Sequence, residues 1–172
     1  MIKRFTLLLF LFLVPGFAAA QETPLPAGLV TLDGRMAPPL RLSDMDGKTT
    51  DLNSLRGKWV LVHFWAGWCG PCRREMPTLQ VLQHEMKDSN FALILVNTAE
   101  TEDEVFAFLP TVAPDLSTLL DRDGLVTEHW QPRGLPSSFI VDPEGRLRYL
   151  ALGGRDWTSS AYLSFMKSLS TH

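Results

Sequence analysis

The sequence predicts an α/β protein built on a mixed sheet, and three observations point there. Two continuous apolar runs, "KWVLVHFWA" at 58–66 and "FALILVNT" at 91–98, have the β-branched and aromatic content of strands buried on both faces. Between them, "CRREMPTLQVLQHEMKD" switches to three- and four-residue apolar steps through Met76, Leu79, Leu82 and Met86, the period of a helix with one buried face. After them, "SSFIVD" and "RLRYLAL" flank an Asp142-Pro143-Glu144-Gly145 turn and read as an antiparallel pair. A strand–helix–strand unit joined to a hairpin gives a central sheet with parallel and antiparallel neighbours and helices against its faces.

The elements follow in order along the chain. Residues 1–20 open with Lys3 and Arg4, continue through the apolar run "FTLLLFLFLV", and end in "PGFAAA" with Ala18 and Ala20 in A-x-A spacing. That layout reads as a cleavable export signal; the alternative is an uncleaved anchor, and residues 5–20 fall a little short of the roughly 20 apolar residues a membrane span needs. Residues 21–34 are expected to be a Pro-containing linker and 35–172 a single domain. "APPLRLSDMDGKTTDLNSL" reads as a short hairpin turning at Asp46-Gly47. Pro77 is expected to bend the first helix. "TEDEVFAFLP" is a second helix, capped by Thr101, acidic in its first turn and ending at Pro110. "STLLDRDG" is a strand and turn, and "LVTEHW" a short helix. "RDWTSSAYLSFMKSL" closes the chain as an amphipathic helix with Tyr162, Phe165, Met166 and Leu169 inward.

Composition excludes several classes. The chain is 45% hydrophobic and 20% charged, enough for a core and without the bias of a disordered segment. Its net charge of −3 lacks the basic excess of a nucleic-acid binder. The chain has two cysteines, Cys69 and Cys72, in "WAGWCGPCRREMP". After export they would sit in an oxidising compartment. A bridge over so short a loop adds little as a staple, on the order of 2 kcal/mol. A zinc site wants four ligands, and His63, His84, His129 and His172 have no spacing that completes one, so no metal site is expected.

The pair is better placed for redox chemistry. A strand running into a helix puts Cys69 at the helix N-terminus, where unpaired N–H groups favour the thiolate. Cys72 lies one turn on, within reach of the first sulfur. Pro71 suits the first helical turn, where its missing N–H costs nothing. Cys69 is then the nucleophile on a partner disulfide, and Cys72 resolves the mixed disulfide.

Through "FWAGWCGPC" the chain resembles thioredoxins. It is more similar still to the exported TlpA/ResA-type thiol-disulfide oxidoreductases, through "DGKTTDLNSLRGKWVLVHFWAGWCGPCRREMPTL", "GLPSSFIVDPEGRL" and an extra α-β segment at roughly 98–130. The resemblance implies a thioredoxin-like fold with an N-terminal hairpin and a central α-β insertion. It implies a reductase of protein disulfides in the periplasm or another extracytoplasmic space, re-reduced by a membrane electron-relay protein of the DsbD type. It offers cytochrome c apoproteins as substrates by analogy. No cofactor is expected, since the two sulfurs carry the electrons, and a monomer is expected. A disulfide oxidase or isomerase and a copper(I)-binding or delivery module stay open as alternatives.

The resemblance also assigns residues. Pro136 matches a cis-proline facing the cysteines, with the Leu135 backbone offered to an extended substrate segment. Trp68, Gly70 and Pro71 fall on the surface that partners touch. Glu75 matches an acid whose proposed part is proton handling, against the ordinary reading of a solvated charge beside Arg73 and Arg74. His63 is a departure: thioredoxins carry a buried Asp there and TlpA-type relatives often a neutral amide. It reads either as a satisfied core histidine or as a proton partner for Cys72.

Overall fold

The computed structural model describes residues 25–170, so the export signal expected at 1–20 lies outside the described residues. The elements run β1 (Leu29–Thr31), β2 (Arg41–Ser43), β3 (Thr49–Asp51), a 3-10 turn (Leu52–Leu55), β4 (Trp59–Trp65), α1 (Gly70–Glu85), β5 (Phe91–Thr98), α2 (Glu102–Val112), β6 (Thr118–Asp121), α3 (Leu125–Trp130), β7 (Ser137–Val141), β8 (Leu147–Leu152) and α4 (Ser160–Leu169). Six strands form one sheet in the order β1-β8-β7-β4-β5-β6, and β2 and β3 pair separately as the expected hairpin. Gly47 turns that hairpin with a φ of +78°, a conformation open to glycine at no steric cost.

β4 lies inside the sheet. It pairs in parallel with β5 from Trp59↔Phe91 to Trp65↔Asn97, and antiparallel with β7 from Val60↔Val141 to Phe64↔Ser137. Its alternating side chains feed two cores. Leu61 and Trp65 pack with Met76, Leu79 and Leu82 of α1 and with Phe165 and Met166 of α4. Val60, Val62 and Phe64 pack on the other face with Ile94, Val96, Trp130 and Phe139. An interior strand covered on both faces has no polar side to show in sequence, hence the continuous apolar run. His63 is the polar residue placed among these buried positions.

Two expected boundaries move. The stretch read as linker to residue 34 contributes β1, which pairs with β8 through Leu29↔Ala151, Val30↔Leu150 and Thr31↔Tyr149. Three residues are too few to show a period against the neighbouring prolines. The second helix passes its expected end at Pro110 and runs to Val112. Proline removes one N–H only, and the turn beyond closes with Ala113 N–H donating to the Leu109 carbonyl at 2.9 Å and the Thr111 hydroxyl to the Phe108 carbonyl at 2.6 Å. Likewise α1 is assigned as one helix through Pro77.

At its other end α2 starts as expected. The Thr101 hydroxyl accepts from Glu104 N–H, and the Glu104 carboxylate accepts from Thr101 N–H at 2.8 Å, a reciprocal capping box. Thr101→Ala is expected to cost about 1 kcal/mol, read as a drop in thermal midpoint of roughly 2–4 °C.

Candidate active site

β4 ends at Trp65, and the chain crosses Ala66, Gly67 and Trp68 to reach Cys69, the N-cap of α1. The Cys69 sulfur occupies the position of a capping oxygen and accepts from Cys72 N–H at 3.3 Å. Cys69 and Cys72 are joined in a disulfide, with Cα atoms 5.3 Å apart. Cys72 is wholly buried at 0% exposure and Cys69 slightly open at 5%, so Cys69 is the more accessible of the two. The Cys72 N–H and the N-terminal end of the helix dipole favour negative charge on that sulfur once the bridge opens.

The loop before Cys69 is held from both sides. Gly67 N–H donates to the Glu100 carboxylate at 2.6 Å, and Arg73 donates to the Gly67 carbonyl at 3.2 Å. A Cβ at Gly67 would stand 3.0 Å from Glu100 Oε1, so a larger residue would push the two apart. Asn97 Nδ2 also donates to Glu100 at 2.6 Å, and the Arg73 guanidinium stacks on the Phe108 ring at 4.0 Å. Trp65 is core, its indole N–H donating to Thr118 at 3.0 Å, whereas Trp68 is 71% exposed beside the disulfide.

Glu75 follows Cys72 by three residues and so shares its face of α1. It is 3% exposed, which overturns the reading of a solvated charge. Its Oε2 accepts from Arg155 N–H at 2.9 Å and from the Trp157 indole at 3.1 Å. Its Oε1 lies 3.4 Å from His63 Nε2. Burial pushes the Glu75 carboxyl up to about 7, against the Arg155 and Trp157 donors and the Arg155 charge, which favour the ionised form. His63 is fully buried, and its Nδ1 meets the Ser138 hydroxyl at 2.8 Å, directly across the β4–β7 pairing. Burial pushes the imidazole down to about 3, so it is neutral at ordinary pH.

The remaining expected residues gather around the same end of the sheet. The Leu135–Pro136 peptide bond is cis, and Leu135 packs against the core cluster that contains both cysteines. The Pro136 carbonyl accepts from Gly153 N–H at 2.9 Å, tying this loop to the end of β8. Gly70 and Pro71 form the first turn of α1. Pro71 also edges a groove of about 440 Å³ with Arg74, Glu75, Thr78, Gly154, Arg155 and Asp156.

Sequence reasoning missed Trp157, Arg155 and Glu100. Trp157 and Arg155 reach Glu75 across 82 and 80 residues from a loop with no period to read. Glu100 stands after Ala99, whose φ of +55° turns the chain back over Gly67. That left-handed turn has no glycine or asparagine to announce it.

A model of the AhpC/TSA family matches residues 34–150. The thiol-disulfide oxidoreductase ResA of Bacillus subtilis is 31% identical over 121 residues, covering 70% of this chain and 68% of its own. The thioredoxin-like protein YneN of the same organism is 33% identical over 124 residues, covering 70% and 72%. Among solved structures, the thioredoxin domain of a thiol-disulfide oxidoreductase from Bacteroides vulgatus superposes with a TM-score of 0.68 at 30% identity, covering 79% of this chain and 96% of that one. With a cysteine pair bonded at the head of a helix and relatives of this kind, the chain belongs to the AhpC/TSA family as a thioredoxin-fold thiol-disulfide oxidoreductase.

Proposed function

We propose that the enzyme is an exported reductase of protein disulfides that cycles between the Cys69–Cys72 bridge and the dithiol. The observation that carries the reading is the bridge itself, with one cysteine slightly open to solvent and a buried carboxyl three residues beyond the other. In the dithiol form the Cys69 thiolate attacks one sulfur of a partner disulfide. That S–S bond breaks, and the second partner sulfur leaves as a thiolate and takes a proton from water. Cys72 then gives its proton to the Glu75 carboxylate, attacks Cys69 Sγ, and releases the first partner sulfur. Two electrons have passed to the partner, and the enzyme is left oxidised.

His63 supports Glu75 from behind in this scheme. Trp68, Gly70 and Pro71 meet the partner, and the Leu135 backbone beside Pro136 pairs with an extended segment of it. An oxidising compartment demands an outside source of electrons, in keeping with a membrane relay of the DsbD type acting on a monomer outside the cytoplasm. Cytochrome c apoproteins fit as substrates by analogy.

The test is the reduction potential of the Cys69–Cys72 couple, measured by equilibration with glutathione or a dithiol buffer. A value near that of thioredoxin, about −270 mV, supports a reductase; one near −120 mV marks a disulfide oxidase instead.

A further inference from the structure

His63 Nε2 and Glu75 Oε1 are both buried, and among the described residues neither has another hydrogen-bond partner. They face one another at 3.4 Å. Glu75 Oε2 accepts from two groups that can only donate, the Arg155 amide and the Trp157 indole. A proton on Glu75 therefore sits on Oε1, and His63 Nε2 is the acceptor facing it. On the far side of the ring, Nδ1 meets a hydroxyl that can donate or accept, Ser138 Oγ at 2.8 Å.

We infer that His63 serves as a two-way hydrogen-bond partner for Glu75, meeting the carboxyl in both of its protonation states by exchanging tautomers against Ser138. With Glu75 ionised, Nε2–H donates to Oε1 and Nδ1 accepts from the Ser138 hydroxyl. With Glu75 protonated, Oε1–H donates to Nε2 and Nδ1–H donates to Ser138. The two arrangements differ by one proton added at Nδ1, by the shared proton crossing from Nε2 to Oε1, and by the rotation of the Ser138 hydroxyl, and every heavy atom keeps its place. A side-chain amide at position 63 would have to turn over to exchange its donor and acceptor ends. A carboxyl that must gain and lose a proton inside a packed core is served best by a partner that adapts without repacking.

The other titratable and charged groups around Glu75 are Cys72 and Arg74 on its own helix, Arg155 and Asp156 on the loop after β8, and Tyr162 on α4. Tyr162 donates its hydroxyl to the Ala27 carbonyl at 3.1 Å, and Asp156 accepts from Thr158 N–H at 2.9 Å. Ser138 on β7 is uncharged. The catalytic meaning of the exchange rests on the proton role proposed for Glu75; the exchange itself does not.

The experiment is nitrogen-15 NMR of the histidine rings in the full, oxidised protein across pH 5 to 9, with His63 identified by its contact to Ser138. The expected result is a neutral ring throughout, carrying its proton on Nδ1 at the acid end and on Nε2 at the alkaline end, with one midpoint near pH 7. In Glu75→Gln, which keeps the shape and cannot titrate, the pH-dependent switch disappears. A ring that becomes doubly protonated in this range, or keeps one tautomer throughout, overturns the inference. The measurement needs no turnover, so its outcome is separate from that of the redox test. A protein that switches tautomers but reduces no protein disulfide loses only the proposed function. One that reduces disulfides with a fixed tautomer loses only this inference.

Discussion

Cys69→Ser is expected to abolish disulfide reduction, lowering turnover in an insulin-reduction assay by about a thousandfold or more. Cys72→Ser is expected to keep the first attack and stall at the second, so that a covalent adduct with the partner accumulates. The asymmetry follows from position. Cys69 caps α1 and is the slightly open sulfur, whereas Cys72 is wholly buried behind it. In the proposed cycle, the first variant removes the sulfur that attacks a partner, and the second removes the sulfur that lets the partner go. Non-reducing electrophoresis and mass spectrometry read the adduct. Adducts forming through Cys72 in the Cys69→Ser protein, and none in the reverse variant, would invert the assignment of nucleophile and resolver.

The second large effect is on stability. The Glu75 carboxyl moves from 4.5 to about 7 on folding. Between those values the folded chain holds a proton that the unfolded chain has released. Stability from this group is full below pH 4.5 and is lost as pH climbs through 7. His63 moves the other way, from 6.5 to about 3, so its share is full above pH 6.5 and is lost as pH falls toward 3. Between 4.5 and 6.5 the two slopes cancel, and the pair contributes a plateau with a decline on each side. Glu75→Gln removes the alkaline loss. Relative to the native protein, the variant is expected to gain about 3 kcal/mol between pH 4.5 and about pH 8, as read by urea unfolding at both values. An equal difference at the two pH values would contradict a buried, neutral Glu75.

Legibility in the sequence tracked how locally each feature is determined. β4, β5, β7 and β8 announce themselves because strands buried on both faces, or joined by a tight turn, need contiguous residues of one kind. Cys69, Gly70, Pro71 and Cys72 are legible for the same reason, as strand, turn and helix cap are consecutive. The cis bond at Pro136 follows from family likeness rather than from the residues around it. The surroundings of Glu75 are another matter. Spacing on α1 puts it on the face of Cys72, but whether that face is wet depends on Arg155 and Trp157, which fold over it from a loop. Likewise β1 is visible only as a partner for β8, since three residues carry no pattern alone.

The short strand β1 has a consequence for how the molecule keeps to itself. Without it, the six residues of β8 would form the border of the sheet and offer a run of unpaired amides and carbonyls. With it, one border is three residues long and the other, β6, is four, with Asp44 bridging to Leu119 across it. Neither rim gives a neighbouring copy much to zip onto, so the sheet is guarded against aggregation along its flanks.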